Sequence, residues 1–245
     1  MPYRRQQLVN DEIYHVVVRG IDDNLLFKDL DDHYRGIFSI YEFNNTIPVE
    51  IFKRRREIQA AKQKLKKGGH RMSPKLALTN DGREKLIEIL AFCFMPNHIH
   101  LLLKQLKDNG ITRFMRKVGA GYGRYFNKKY NRKGYVFQNS FISVHVDNEE
   151  QLKTVFVYVH VNPTSLIEPK WKEKGIKNPK KAIKFLENYK WSSYQDYSNK
   201  KNFPSVTDRE FILKTMAGAG NCKNFVESWI NYKGEIKKFA NIALE

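Results

Sequence analysis

The sequence has little cysteine and lacks any long hydrophobic run. Only Cys93 and Cys222 occur among 245 residues, which excludes a cysteine-rich zinc site, argues against a disulfide framework and favours a reducing compartment. The longest uninterrupted apolar run, from Ile89 to Met95, has seven residues, whereas a membrane-spanning helix needs about 20. The first residues, MPYRRQQ, lack the apolar stretch of a signal peptide. These absences predict a cytoplasmic protein with no membrane partner.

Acidic residues are also scarce, and the excess of basic residues is localised. The chain has 44 Lys and Arg against 26 Asp and Glu, a net charge of +18. Residues 53–75 contain ten basic residues and one acid, and residues 111–134 contain eight and none, so these two segments account for 17 of the 18 charges. Localised charge of this kind favours a surface for a polyanion such as nucleic acid. The alternative is a set of solvated helix faces.

The apolar patterns predict alternating strands and helices. Residues 13–20, 85–95, 98–104 and 142–146 have the composition of strands. Residues 31–45, 111–130 and 148–161 carry apolar residues at helical spacing, although Gly119, Gly121 and Gly123 weaken the second of these helices. Asp147, with Glu150 three residues later, resembles a capping box at the start of the third.

This order of elements predicts an α+β fold. It matches a ferredoxin-like antiparallel sheet with helices on one face. A basic insertion at about 53–84 and a helical C-terminal extension from Thr207 onward are added to it.

His98 and His100 are two residues apart on a predicted strand, directly after the turn Met95-Pro-Asn. Side chains alternate on a strand, so both point to the same face with Cα atoms about 6.5–7 Å apart. Two imidazoles at this distance can bind one divalent ion. The alternative is a pair of half-exposed histidines on a sheet face.

Tyr158 and Asn162 are four residues apart on a predicted helix, so they lie on one edge of it, beside its apolar stripe. A phenol and a carboxamide there can face a cleft at the sheet surface. The alternative is a boundary tyrosine and an asparagine that caps the helix. His160 projects to the other flank, where we expect packing or a DNA contact rather than a ligand.

Several ordered motifs together resemble one family. Residues 92–103 (FCFMPNHIHLLL) are similar to the His-hydrophobe-His (HUH) signature of single-tyrosine transposases, and residues 157–163 (VYVHVNP) to their Tyr-x-His-x-Asn-Pro helix end. Further similar segments are VRG at 18–20, YFN at 125–127, GYVFQ at 134–138 and WSSY at 191–194. The chain is therefore similar to the IS200-like and REP-associated tyrosine transposases, with a transposase domain over 1–197 and an extension over 198–245.

The resemblance implies an activity. It implies an endonuclease and strand transferase that nicks and rejoins single-stranded, hairpin-bearing DNA through a 5′-phosphotyrosine. Tyr158 would be the nucleophile, and His98, His100 and Asn162 would bind Mg²⁺ or Mn²⁺. One tyrosine makes one covalent link, so cutting two ends needs a homodimer or two cycles. Such a protein is expected at the nucleoid.

This sequence departs from the family at two places. Asn162 stands where related enzymes often have glutamine, and Asn139-Ser140 stand where many have Gly-Arg. The residues predicted to contact DNA are basic: Arg19, Arg113, Arg116, Lys117, Arg124, Lys128, Lys129, Arg132 and Lys133.

Two other functions compete with this one. The first is a domesticated nucleic-acid-binding protein without catalysis. The second is a histidine-based metal hydrolase of small substrates, against which the charge weighs.

Overall fold

The protein is built around a four-stranded antiparallel sheet. A computed structural model describes residues 7–49, 82–138 and 140–231, together with 56, 59 and 60. The strands are β1 (Ile13–Arg19), β2 (Ile87–Phe94), β3 (His98–Gln105) and β4 (Ile142–Val146), in the spatial order β2-β3-β1-β4. All neighbouring pairs are antiparallel, and Arg19 of β1 lies opposite His98 of β3.

The helices alternate with these strands and continue after them. They are α1 (Leu30–Glu42), α2 (Gly110–Lys129), α3 (Glu149–Val161), α4 (Trp171–Lys174), α5 (Pro179–Asn188), α6 (Tyr194–Tyr197), α7 (Glu210–Thr215) and α8 (Ala219–Asn231). The α+β class, the ferredoxin-like order and a helical C-terminal region are confirmed. The predicted insertion at 53–84 falls almost entirely outside the described residues.

The expectation that the helices lie on one face of the sheet is wrong. One core packs α1 and α2 against side chains such as Val16 and Leu101, and a second packs α3 and the later helices against Cys93 and Leu102. The cause is in the strands: β2 is apolar on both faces, so each face needs its own cover. The division at residue 197 stays a prediction, although α7 and α8 contribute to the second core.

The WSSY motif extends the edge of the sheet. Trp191 accepts a backbone hydrogen bond from Phe94 (2.8 Å), and the backbone N–H of Ser193 donates to Phe92 (3.0 Å). The Ser193 hydroxyl also accepts from the Phe92 amide (3.0 Å). These contacts cover β2, which would otherwise present unpaired backbone groups at the edge.

Local signals explain the ends and the continuity of two helices. Helix α3 is capped by Asn148, whose side chain accepts from the Gln151 amide at 2.8 Å, and not by Asp147 as expected. Helix α2 is continuous through its three glycines. Gly121 is required there, because a Cβ at this position would lie 2.2 Å from the Phe43 ring of the segment that ends α1.

Candidate active site

His98 and His100 lie on the same face of β3, as their spacing predicts. Strand β3 pairs with β2 on one side and β1 on the other, so the two histidines stand on an interior strand. Their ring centroids are 4.8 Å apart with the rings nearly perpendicular. Both side chains are buried, His100 completely. The sheet therefore holds the pair without help from a mobile loop.

The Nδ1 atom of each histidine ring contacts a neighbouring side chain. Asn97 Oδ1 accepts from His98 Nδ1 at 2.7 Å, and His15 Nε2 on β1 lies 3.1 Å from His100 Nδ1. If His100 carries its proton on Nδ1, it donates to His15 and its Nε2 keeps a lone pair. Partners of this kind orient metal-binding histidines in proteins.

Helix α3 brings Tyr158 and Asn162 to these histidines. The Asn162 carboxamide donates to His100 Nε2 at 2.9 Å, and the Tyr158 ring meets the His100 ring edge-on, with centroids 5.7 Å apart. Asn162 also stands at the C-cap of α3. Asn162, although shorter than the glutamine of related enzymes, therefore still reaches His100. The two predicted pairs, His98 with His100 and Tyr158 with Asn162, lie in one site.

The expectation that Tyr158 faces an open cleft is wrong. Its side chain is 1% exposed and belongs to the core between α3 and the sheet. Burial raises the pKa of the phenol to about 12, against a smaller opposing effect of its hydrogen bond with Asn162. The residue is at the edge of the apolar stripe in sequence, but the segments that follow α3 cover that edge.

Lys172 of α4 contacts the phenol oxygen of Tyr158. Its ammonium donates to the Tyr158 hydroxyl at 3.2 Å and lies 5.3 Å from the ring centroid. Burial, and then the charge of Arg19, lower the pKa of Lys172 to about 8. Arg19 and Lys172 thus place two positive charges close to Tyr158 and the histidines.

The same environment keeps the histidines neutral. Burial, followed by the charges of Arg19 and Lys172, lowers the pKa of His98 to about 3. Burial also lowers the pKa of His100 well below its usual range. Neutral imidazole is the form that binds metal ions.

The donor set is small. Within 7–49, 82–138 and 140–231, no cluster of three or more His, Cys, Asp or Glu side chains could hold a metal ion. A divalent ion here would have two imidazoles and the Asn162 carboxamide as side-chain donors. These residues fit such an ion through neutral nitrogen and oxygen donors, and exchangeable ligands would complete its coordination.

The predicted DNA-contacting residues divide into three groups. Arg19 lies beside the histidines, since it is the partner of His98 in the β1–β3 register. Arg116, Arg124, Lys128 and Lys133 are exposed on α2 and the turn after it, and Arg113 and Arg132 are half-buried.

The third group is already engaged within the protein. Lys117 donates to backbone carbonyls of residues 45–47, including that of Ile47 at 3.0 Å. Lys129 forms ion pairs with Asp29 (2.7 Å) and Asp32 (2.9 Å). A basic residue in the sequence is therefore not always a cation that is available to DNA.

The other tyrosines near the basic segment have different surroundings. Tyr125 and Tyr130 donate to the carboxylate of Asp32, at 3.0 and 2.6 Å. Tyr135 is 77% exposed. His160 is buried and lies 2.8 Å from the Ser193 hydroxyl, which confirms the packing role expected for it.

Sequence reasoning missed His15 and Lys172. His15 had one signal: it lies two residues before Val17, the partner of His100, and therefore on the face of that histidine. Lys172 is one of many lysines between 170 and 184, and nothing in that pattern indicates which one reaches Tyr158.

The chain is similar to a known family and to a solved structure. Residues 49–162, which include the histidines, Tyr158 and Asn162, match the family model "Transposase IS200 like". A solved structure of a REP-associated tyrosine transposase bound to a REP hairpin aligns with 86% of this chain and 96% of its own, at 14% identity and a TM-score of 0.47. No curated protein gave a match. Among the described residues, no helix is long and apolar enough to cross a membrane. The chain is similar to the IS200-like transposases over residues 49–162.

Proposed function

We propose that this protein is a transposase-like enzyme that nicks and rejoins single-stranded, hairpin-bearing DNA, with Tyr158 as nucleophile. The observation that carries the proposal is the meeting of Tyr158 and Asn162 with His100 in one buried site. The IS200-like family supports a transposase-like function on DNA. The solved REP-associated transposase is bound to a hairpin, which suggests the same kind of substrate here.

The chain's own residues would act on the scissile phosphate in defined ways. The Tyr158 oxygen attacks phosphorus, the bond to the 3′ oxygen breaks, and the products are a 5′-phosphotyrosine and a free 3′-hydroxyl. Lys172, which already donates to this oxygen, stabilises the negative charge that develops as the phenol loses its proton. Arg19 adds a second positive charge near the phosphate.

His98, His100 and Asn162 would hold a Mg²⁺ or Mn²⁺ ion. When bound, such an ion polarises the phosphate and stabilises the leaving oxygen. Asn97 and His15 hold the two rings with Nδ1 toward the protein, which leaves Nε2 as the donor atom. Asn162 would contribute Oδ1 after its carboxamide turns away from its present hydrogen bond.

Rejoining follows because the phosphotyrosine conserves the energy of the broken bond. Another 3′-hydroxyl displaces the Tyr158 oxygen and reforms a phosphodiester. Each site makes one covalent link, so two ends need a homodimer or two successive cycles.

The burial of Tyr158 favours one alternative, a DNA-binding protein that no longer cuts. The test is incubation with Mn²⁺ and a labelled hairpin oligonucleotide that has single-stranded flanks, followed by denaturing electrophoresis and peptide mapping. We expect an SDS-resistant adduct on Tyr158. Binding without an adduct would favour the alternative. An adduct on Tyr125, Tyr130 or Tyr135 would overturn the assignment of the nucleophile.

A further inference from the structure

A groove runs along α2 on the sheet face opposite the histidines. It lies between α2 and residues 134–138, 140 and 141, and we call it the α2 groove. Its volume is about 580 Å³, within the range of roughly 300–1,000 Å³ that is typical of small-molecule sites. Val18 and Met115 line it with apolar surface, and Tyr135, Phe137 and Phe141 form an aromatic wall.

Two glycines keep this groove open. Gly119 and Gly123 line it one helical turn apart. A Cβ at Gly119 would approach Phe137 to 3.9 Å, and one at Gly123 would approach Val136 to 3.8 Å, both ordinary contacts. Packing therefore does not require glycine at either position, although each costs the helix about 1 kcal/mol relative to alanine. Their effect is to let another molecule approach the α2 backbone.

The charge of the groove complements a phosphate. Arg116 and Arg124 line it and are exposed, and no acidic residue is among the described residues that form it. Tyr135, 77% exposed, stands on the opposite wall. Aromatic rings facing arginines are the arrangement by which proteins bind single strands, because bases stack on the rings and phosphates pair with the cations.

One end of the groove lies close to the end of β1, which is paired with the strand that carries the histidines. The Gln138 amide donates to the Arg19 carbonyl at 2.9 Å, so the aromatic wall continues the pairing of β1. Arg19 in turn lies opposite His98. A strand that passed from the groove around the end of β1 would therefore come close to Arg19.

We propose that the α2 groove binds an unpaired nucleotide of the DNA substrate, with its base against Tyr135 and the glycine floor and its phosphate at Arg116 and Arg124. This proposal rests on the proposed function for the identity of the nucleic acid. It adds a recognition site on the opposite side of the sheet from the chemistry, for the single-stranded part of the substrate.

The test measures dissociation constants for a hairpin oligonucleotide with a single-stranded flank and for the same hairpin without it. All proteins carry Tyr158→Phe, so that no cleavage interferes. We expect Tyr135→Ala and Gly123→Met to weaken binding of the flanked hairpin about 5- to 100-fold, since one stacked base contributes this much. The blunt hairpin should bind within about twofold in both variants.

Matched variants separate stacking from folding. Tyr135→Phe keeps the ring and Gly123→Ala leaves most of the groove, so both should bind the flanked hairpin nearly as wild type does. Thermal melts show whether Gly123→Met folds, and Arg116→Gln with Arg124→Gln tests the groove without changing its shape. The fluorescence of 2-aminopurine, placed in turn at each flank position, should be quenched at one position by the parent Tyr158→Phe protein and restored when Tyr135→Ala is added.

The outcomes distinguish this proposal from the proposed function. Quenching that depends on Tyr135 supports the groove even if wild-type protein forms no adduct. Adduct formation with unchanged flank affinity in Tyr135→Ala and in the arginine double variant overturns the groove and leaves the function intact. A tenfold preference for RNA of the same sequence would overturn the assignment of DNA as its occupant.

Discussion

The two faces of the sheet carry different kinds of polar residues. On the face covered by α3, the histidines, Tyr158 and Asn162 are buried and held by one another. On the face covered by α2, Arg116, Arg124 and Lys128 are exposed. The first arrangement fixes geometry and excludes water, which chemistry needs. The second offers charge to a polyanion at little desolvation cost. If the protein cuts DNA as proposed, cutting and holding DNA should be separable in it.

Tyr158→Phe should separate cleavage from DNA binding more completely than any other change. The change removes one oxygen from a buried ring, so we expect no covalent adduct but DNA affinity within about twofold of wild type. Gel electrophoresis under denaturing conditions measures the first quantity and fluorescence anisotropy the second. If the variant nicks DNA normally, the catalytic face has been assigned wrongly.

Substitutions on the sheet face that carries the histidines should reduce cleavage to different degrees. His98→Ala or His100→Ala should abolish cleavage and leave binding nearly intact, and EDTA should do the same to wild type. His15→Phe keeps a ring but removes the partner of His100 Nδ1. It should raise the Mn²⁺ concentration for half-maximal adduct formation about 10- to 100-fold. Cleavage in EDTA equal to that in Mn²⁺ would contradict the metal assignment.

Asn162→Ala should lose less cleavage activity than His98→Ala or His100→Ala, because water can replace a carbonyl ligand.

The cationic face should respond to salt. Replacing Arg116, Arg124 and Lys128 by glutamine should reduce the slope of log affinity against log salt by about 2 on single-stranded DNA, at roughly 0.7 per phosphate contact. Adduct formation at saturating DNA should not change. A slope equal to that of wild type would mean that these residues form only a solvated face.

Lys129→Gln provides the matched control. Because its ammonium is paired with Asp29 and Asp32, the salt slope should change less than for Lys128→Gln. The free energy of unfolding should fall instead, since the buried carboxylate of Asp32 loses a partner. A larger slope change for Lys129 than for Lys128 would place the DNA on the Asp29 side of α2.

The smallest effects concern the glycines of α2. Gly121→Ala should lower the free energy of unfolding by about 1–3 kcal/mol, because the new methyl group would overlap the Phe43 ring. Gly119→Ala should raise it by up to about 1 kcal/mol. Urea denaturation measures both. Equal effects at the two positions would show that Gly119, in the groove, and Gly121, at the contact with Phe43, do not differ in packing.

The sequence predicted the sheet well, because alternating apolar residues and short turns define strands locally. It also predicted that His98 and His100 share a face, which follows from strand geometry alone. It did not predict that both faces of β2 need covering helices, although the unbroken apolar run from Ile89 contained that information. A strand that is buried on both faces has a continuous apolar run, whereas a strand that is buried on one face alternates apolar and polar residues.

The parts of the site that the sequence could not predict depend on distant segments. Lys172 approaches Tyr158 through a helix of four residues whose position is set by packing, and no local pattern specifies that contact. The pairing of Lys129 with two aspartates nearly a hundred residues away has the same origin. Periodicity indicates which side of an element is buried, but not which charged residue finds a partner.

The cover over Tyr158 has a kinetic consequence. If Tyr158 is the nucleophile, its phenol, which is 1% exposed, cannot touch a DNA phosphate until part of the cover over it moves aside. The protein would then exist as a closed majority and an open minority, and minor states of this kind commonly hold about 0.1–10% of molecules. If Tyr158 is the nucleophile, the observed nicking rate is the chemical rate multiplied by the open fraction. A substitution that loosens the packing of α4, away from the reacting atoms, would therefore accelerate the enzyme.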